Sequence, residues 1–175
     1  MAGKLSSRKS WRAKVEQCRP PAVVDVAPAQ RHRWGGAKLL ISSPKEIEAV
    51  VRGIRKGCLL TLDQLRSSLA KVHGADATCP LTTGIFLRMV AEAAEEDRHA
   101  GKHRITPYWR VIRGDGRLID KFPGGTSRQA DLLHREGIHV ASSPRTGKPI
   151  RVAPDRTPSA AITTKRKDRA RGEED

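Results

Sequence analysis

The sequence predicts a mainly α-helical domain with short β elements, carried between basic arms. Three observations lead there. Capping-box signatures recur ahead of apolar residues at helical spacing. One β-branched and aromatic stretch carries a proline that a helix interior excludes. Charge is also unevenly spread along the chain. The 175 residues hold 34 Lys+Arg against 19 Asp+Glu, a formal charge of +15. Residues 1–36 carry +6, 37–141 carry +5 and 142–175 carry +4. Most of the excess thus lies in the flanks. Hydrophobic residues make up 37 % of the chain, below the roughly 45–50 % of an ordinary domain. We therefore expect a partly ordered basic arm over 1–36, a folded domain over 37–141 and a disordered basic tail over 142–175.

Composition also excludes several classes. No apolar run approaches the ~18 residues of a membrane helix. The N-terminus has no continuous apolar h-region, so a secretory signal is not expected. Cys18, Cys58 and Cys79 are odd in number and show no CxxC spacing, which argues against a disulfide scaffold and a zinc site. A reducing cytoplasmic setting, no metal, no cofactor and no membrane partner are the expectations. The charge surplus points to a polyanion, with nucleic acid the leading candidate.

The elements follow in order. Ser43-Pro44-Lys45-Glu46 reads as a capping box with proline at the first helical position. It opens a helix with Ile47, Val50, Val51 and Ile54 on one face and Gly57 as its stop. Thr61-Leu62-Asp63-Gln64 is a second box. Its helix has Leu62, Leu65, Leu69 and Val72 as the buried stripe and Gly74 as its end. Pro80 opens a third helix running to about His99, with Ile85, Phe86, Met89, Val90 and Ala93 as its apolar face. These last two helices fit a helix-turn-helix, or an ordinary αα-hairpin with a solvated charged face, the commoner arrangement. As a recognition helix the third would present Thr82, Thr83 and Arg88 outward. Phosphate would repel its acidic end, Glu92, Glu95, Glu96 and Asp97, so only the N-terminal half suits a groove. The stretch Arg104–Ile112 reads as extended. Gly114-Asp115-Gly116 reads as a turn, and Thr126-Ser127-Arg128-Gln129 as a third capping box for a last helix closed by Gly137.

The run Thr106-Pro107-Tyr108-Trp109-Arg110-Val111-Ile112-Arg113-Gly114-Asp115-Gly116, then Gly124-Gly125, then Leu132-Leu133-His134-Arg135-Glu136-Gly137, resembles the DNA-binding domain of alkylguanine-DNA alkyltransferases. The resemblance spans about residues 38–140 and implies a winged helix-turn-helix. Family members accept an alkyl group from a flipped guanine onto a cysteine activated by histidine. Here Tyr108 stands at the cysteine position and Trp109 at the histidine position. A phenol is a poor nucleophile at neutral pH. The sequence therefore looks like the alkyltransferase-like branch, which lacks the cysteine, binds alkylated guanine and is taken to flag it for nucleotide excision repair.

That resemblance implies a base pocket of Tyr108, Trp109, Arg110 and Glu136; Tyr108 and Trp109 read equally as residues that fill a pocket vacated by lost function. It implies DNA contacts from Leu81 and Arg88, beside the outward Thr82 and Thr83, with double-stranded DNA as partner and a monomeric protein; Arg128, near the N-terminus of the last helix, is placed to meet phosphate. Leu81 occupies the position of the family's wedging arginine, and Leu62 that of its pocket tyrosine. The stretch from Val90 to Ile105, with Glu95-Glu96-Asp97-Arg98-His99, is longer than the family's hinge. Two other readings stay open: a methyltransferase-family enzyme with a non-standard site, and a general winged-helix DNA- or RNA-binding protein without lesion preference.

Overall fold

The computed structural model describes residues 9–152. Six helices surround three small sheets. Helix α1 (Trp11–Glu16) starts at Ser10, whose Oγ accepts from the Ala13 N–H at 3.1 Å. Strand β1 (Ala22–Asp25) leads through a 3₁₀ turn (Pro28–Gln30) into the single-turn α2 (Arg31–Trp34). Strand β2 (Lys38–Ile41) then pairs back on β1, antiparallel, with Ala22 opposite Ile41.

Helix α3 (Pro44–Arg52) and helix α4 (Leu62–Val72) each begin with the expected capping box, both reciprocal hydrogen bonds being formed. Between them lies β3 (Leu60–Thr61). After β4 (Ala77–Thr78), parallel to β2, the twenty-residue α5 runs Pro80–His99. A 3₁₀ turn (Tyr108–Arg110) precedes β5 (Val111–Ile112), which is parallel to β3. Helix α6 (Gly125–His134) and a hairpin of β6 (Val140–Ser142) and β7 (Pro149–Val152) complete the fold.

The main core gathers under α3, α4 and α5, where Leu40, Ile47, Leu65, Val90 and Tyr108 have no exposed surface. Full burial stabilises each large aliphatic side chain by roughly 1.5–3 kcal/mol. A second cluster joins α6 to the hairpin through Leu59, Ile112, Leu118, Leu133, Ile138 and Val152, and Trp109 touches both clusters.

Several expectations need correction. The boundary at residue 36 divides β1 from the strand it pairs with, so the N-terminal arm is built into the domain. The arm also buries Val15 in the main core. The folded part runs on past 141, because Val152 packs beneath α6 and the β6–β7 pairing closes there; the rest of the expected tail, 153–175, lies outside the described residues. Helix α3 ends at Arg52 on Gly53, earlier than Gly57. Val72 and Ile85 were expected in apolar faces but are 60 % and 53 % exposed. The third capping box does not form. Gly124, with φ 74°, is the N-cap of α6 and no side chain caps it. Gln129 turns inward instead: its Nε2 donates to the Trp109 and Val111 carbonyls and its Oε1 accepts from the Ile119 N–H. Only Val111–Ile112 of the expected extended stretch is strand, because Tyr108–Arg110 coils to bring its three side chains inward.

Candidate nucleic-acid interface

Pro80 opens α5 directly after the N-cap Cys79. The first turn sorts its threonines by burial. Thr83 is 1 % exposed and donates its hydroxyl to the Cys79 carbonyl at 2.7 Å, so it faces the core and not a groove. Thr82 is half-buried and bonds the same carbonyl at 3.3 Å. What α5 presents outward is Leu81, 68 % exposed, Ile85, and the exposed Arg88. Leu81 and Ile85 stand one turn apart on the same face. Gly84 lies beside them, and a Cβ placed there would meet nothing within 4 Å.

A cleft of about 560 Å³ opens beside this ridge. Leu62 of α4 and Ile119 and Phe122 of the loop after β5 form apolar wall, and Arg88, Arg113 and Lys121 also line it. Arg113 pairs with Asp120 at 3.0 Å, and Arg88 lies 3.6 Å from Glu92. Neither Cys58 nor Cys79 lines this cleft.

Tyr108 does not line it either. Its side chain is wholly buried, edge-on to Trp109 and Phe122 at centroid separations of 5.5 and 5.1 Å. Its hydroxyl donates to Glu95 Oε1 at 3.0 Å. Burial pushes the phenol pKa well up, and the Glu95 charge pushes it further. Of the two readings of Tyr108, a face for a flipped base and a residue filling the pocket, its burial matches the second; Phe122, which its ring meets edge-on, lines the cleft.

Trp109, Arg110 and Glu136 do come together, as a clasp. Trp109 Nε1 donates to Glu136 Oε1 at 2.8 Å, and Arg110 gives Glu136 a two-pronged pair at 2.8 and 2.9 Å. The Gly57 N–H adds a bond at 3.2 Å, and Arg110 Nη1 reaches the Ile54 carbonyl. Burial raises the Glu136 carboxyl, but the hydrogen bonds from Arg110, Trp109 and Gly57 outweigh it and hold the pKa below the usual range. This clasp joins the end of α6, the 3₁₀ turn and the loop after α3, and none of its members lines the cleft.

The far end of α5 corrects another expectation, since its acids are not a solvated face. Glu95 and Asp97 are buried. Glu96 accepts the Trp11 and Arg12 N–H groups at 2.8 and 2.9 Å, filling the anion position at the start of α1. Arg12 bridges Glu48 and Asp97, and Lys102 adds a bond to Asp97 at 2.7 Å. Arg128 lies beside Glu92, Glu95 and Glu96 and does not line the cleft, so its charge falls on the acids.

Burial raises the carboxyls of Glu48, Glu95 and Asp97, and in each case hydrogen bonds and neighbouring cations more than reverse it. Depressed folded-state values mean that these groups stabilise the fold at neutral pH. That contribution is lost as pH falls below the ordinary carboxyl range of about 4. The melting temperature is expected to stay level near neutrality and fall steeply below about pH 4. Glu95→Gln should make that fall shallower in a pH series followed by circular dichroism.

Reading the sequence alone missed Phe122, Lys121 and Arg113 as cleft residues, and Arg12, Glu95 and Gln129 as the groups that brace it. Arg113, Glu95 and Gln129 stood inside recognised runs under other roles, and Phe122 and Lys121 stood just ahead of the Gly124-Gly125 pair. No protein-family model matches the chain, and no curated protein matches it. Among solved structures it is similar to the crystal structure of S. pombe Atl1 in complex with damaged DNA containing O6-carboxymethylguanine, at 18 % identity and a TM-score of 0.45, over 67 % of this chain and 94 % of that one.

Proposed function

We propose that the chain is a non-catalytic, duplex-DNA-binding protein of the alkyltransferase-like kind, which docks the N-terminal half of α5 on DNA and accepts an alkylated base in the adjoining cleft. The observation that carries this reading is the pairing of an exposed apolar ridge, Leu81 and Ile85, with a cation-bearing cleft of about 560 Å³ that no cysteine lines. Apolar side chains at such a ridge can wedge between base steps, and a flipped base needs an adjacent pocket. Leu62, Ile119 and Phe122 offer that base apolar walls, and Arg88 and Lys121 suit the flanking phosphates.

Gly84 supports the same reading. A glycine inside a helix costs about 1 kcal/mol relative to alanine, and no neighbour among the described residues requires it here. A duplex lying close against the helix would. Gly84→Ala is therefore expected to stabilise the fold by up to about 1 kcal/mol while weakening duplex binding about fivefold. Thermal melting and fluorescence anisotropy measure the two effects separately.

The decisive comparison uses the full chain with an alkylguanine duplex and its undamaged counterpart. Tighter binding to the damaged duplex is expected, without transfer of a labelled alkyl group to the protein. Label on the protein would overturn the non-catalytic reading. Equal affinity for both duplexes would favour the general winged-helix binder, which the burial of Tyr108 also suits. Delivery of the lesion to nucleotide excision repair belongs to the sensor reading.

A further inference from the structure

The chain from 137 to 152 contains Arg145, Lys148, Arg151 and His139 and no acidic residue. Sequence pattern placed most of it in a loose tail. The structure makes it the β6–β7 hairpin and ties that hairpin to the loop that lines the cleft. The Leu118 N–H donates to the Ile150 carbonyl at 2.8 Å and the Val152 N–H to the Gly116 carbonyl at 3.1 Å. Residues 116–118 therefore run along β7 as an added strand, with Arg117 opposite Arg151. The Arg113 N–H in turn bonds the Arg117 carbonyl at 2.9 Å, so one hydrogen-bonded ladder leads from a cleft cation to the hairpin.

Charge along this ladder is sorted. Asp120 is taken by Arg113 and Asp115 by Arg117. Among the described residues, no carboxylate lies within ion-pair distance of Arg145, Lys148 or Arg151. All three are exposed. Arg151 is also steadied: its Cγ and Cδ lie 3.4 and 3.8 Å from where a Cβ of Gly116 would stand, so its stem crosses the turn that Gly116 makes at φ 82°. Hydrophobic anchoring of Val152 and Ile138 beneath α6 fixes the hairpin's base.

The geometry points to a second duplex-DNA contact: the β6–β7 hairpin grips phosphates beside the segment docked on α5, through Arg145, Lys148 and Arg151. This rests on the duplex-binding reading above. From the Val140–Val152 pair to the Ser143–Lys148 hydrogen bond the hairpin extends three residue steps, about 10 Å. That length covers roughly three base-pair steps at 3.4 Å each. Such contacts carry no sequence information and act through release of counterions, so they enter the salt dependence of binding directly.

The test is an anisotropy titration of the full chain on an undamaged duplex across a potassium chloride series, with R145Q/K148Q/R151Q beside the parent. Each lost phosphate contact makes the slope of log K against log salt shallower by about 0.9. The triple variant is expected to be shallower by about 2–3, at least tenfold weaker at low salt, and unchanged in melting temperature. Should it melt earlier, R145Q/K148Q, at the solvent-exposed turn, is the working variant, with an expected change of about 2. An unchanged slope in a folded variant, while Arg88→Gln still weakens binding, overturns the hairpin contact alone. A parent chain that binds no duplex overturns the duplex reading and the hairpin contact together.

Discussion

Tyr108→Ala is expected to destabilise the protein by about 3–5 kcal/mol, the cost of emptying a large aromatic site in a packed core. For a domain of this size that lowers the melting temperature by roughly 10–15 °C. The side chain is wholly buried, touches Trp109 and Phe122 edge-on, and donates to Glu95. Tyr108→Phe separates the two contributions. It keeps the ring contacts and removes only the hydroxyl, for an expected cost of about 1–2 kcal/mol, because Glu95 keeps its Arg98 bond. Duplex binding by Tyr108→Phe should match the parent, since the ring does not line the cleft. A binding loss without a stability loss would place the hydroxyl in the site after all. Thermal and urea melts beside anisotropy provide both readings.

Arg12→Ala is expected to cost about 3 kcal/mol. Arg12 is the cation shared by Glu48 and Asp97, whose side chains are 12 % and 6 % exposed. Removing one member of a buried ion cluster leaves the others charged and desolvated, typically a loss of 3–5 kcal/mol. Here Arg52 and Thr106 still serve Glu48 and Lys102 still serves Asp97, which puts the value at the lower end. Arg12→Lys should recover only part of the loss, because an ammonium cannot span both carboxylates as the planar fork does. Equilibrium urea unfolding measures each step. If Arg12→Ala and the parent share a midpoint, α1 is a passenger rather than part of the fold.

Local chemistry made much of the fold legible. The Ser43 and Thr61 boxes and the prolines at the helix starts located α3, α4 and α5, because capping depends on residues three apart and on little else. The Thr126 box failed for a tertiary reason: Gln129 has three backbone partners in the core, and these outbid one exposed cap. Val72 and Ile85 failed differently. Periodicity finds a stripe, but it does not tell which apolar residues at the stripe's margin are covered by another element. The candidate site divides the same way. Arg88 and Leu81 were readable from their places on α5. Phe122 and Lys121 come from a loop whose course depends on Gln129 and the hairpin, contacts that no local pattern encodes. The acids of α5 looked like a charged surface because their partners, Arg12 and Tyr108, are distant in sequence.

The hydrogen bonds from the start of α1 to Glu96 near the end of α5 have a consequence for synthesis. Trp11 and Arg12 bond Glu96 across 85 and 84 residues. On a ribosome adding about 5–20 residues per second, the N-terminal segment therefore waits roughly 4–17 s for its partner to be made. Val15, and the carboxylates that Arg12 neutralises, have no native surroundings until then. Helix α1 accordingly docks late, whereas Ala22–Asp25 meets its partner strand Lys38–Ile41 well before Glu96 is made.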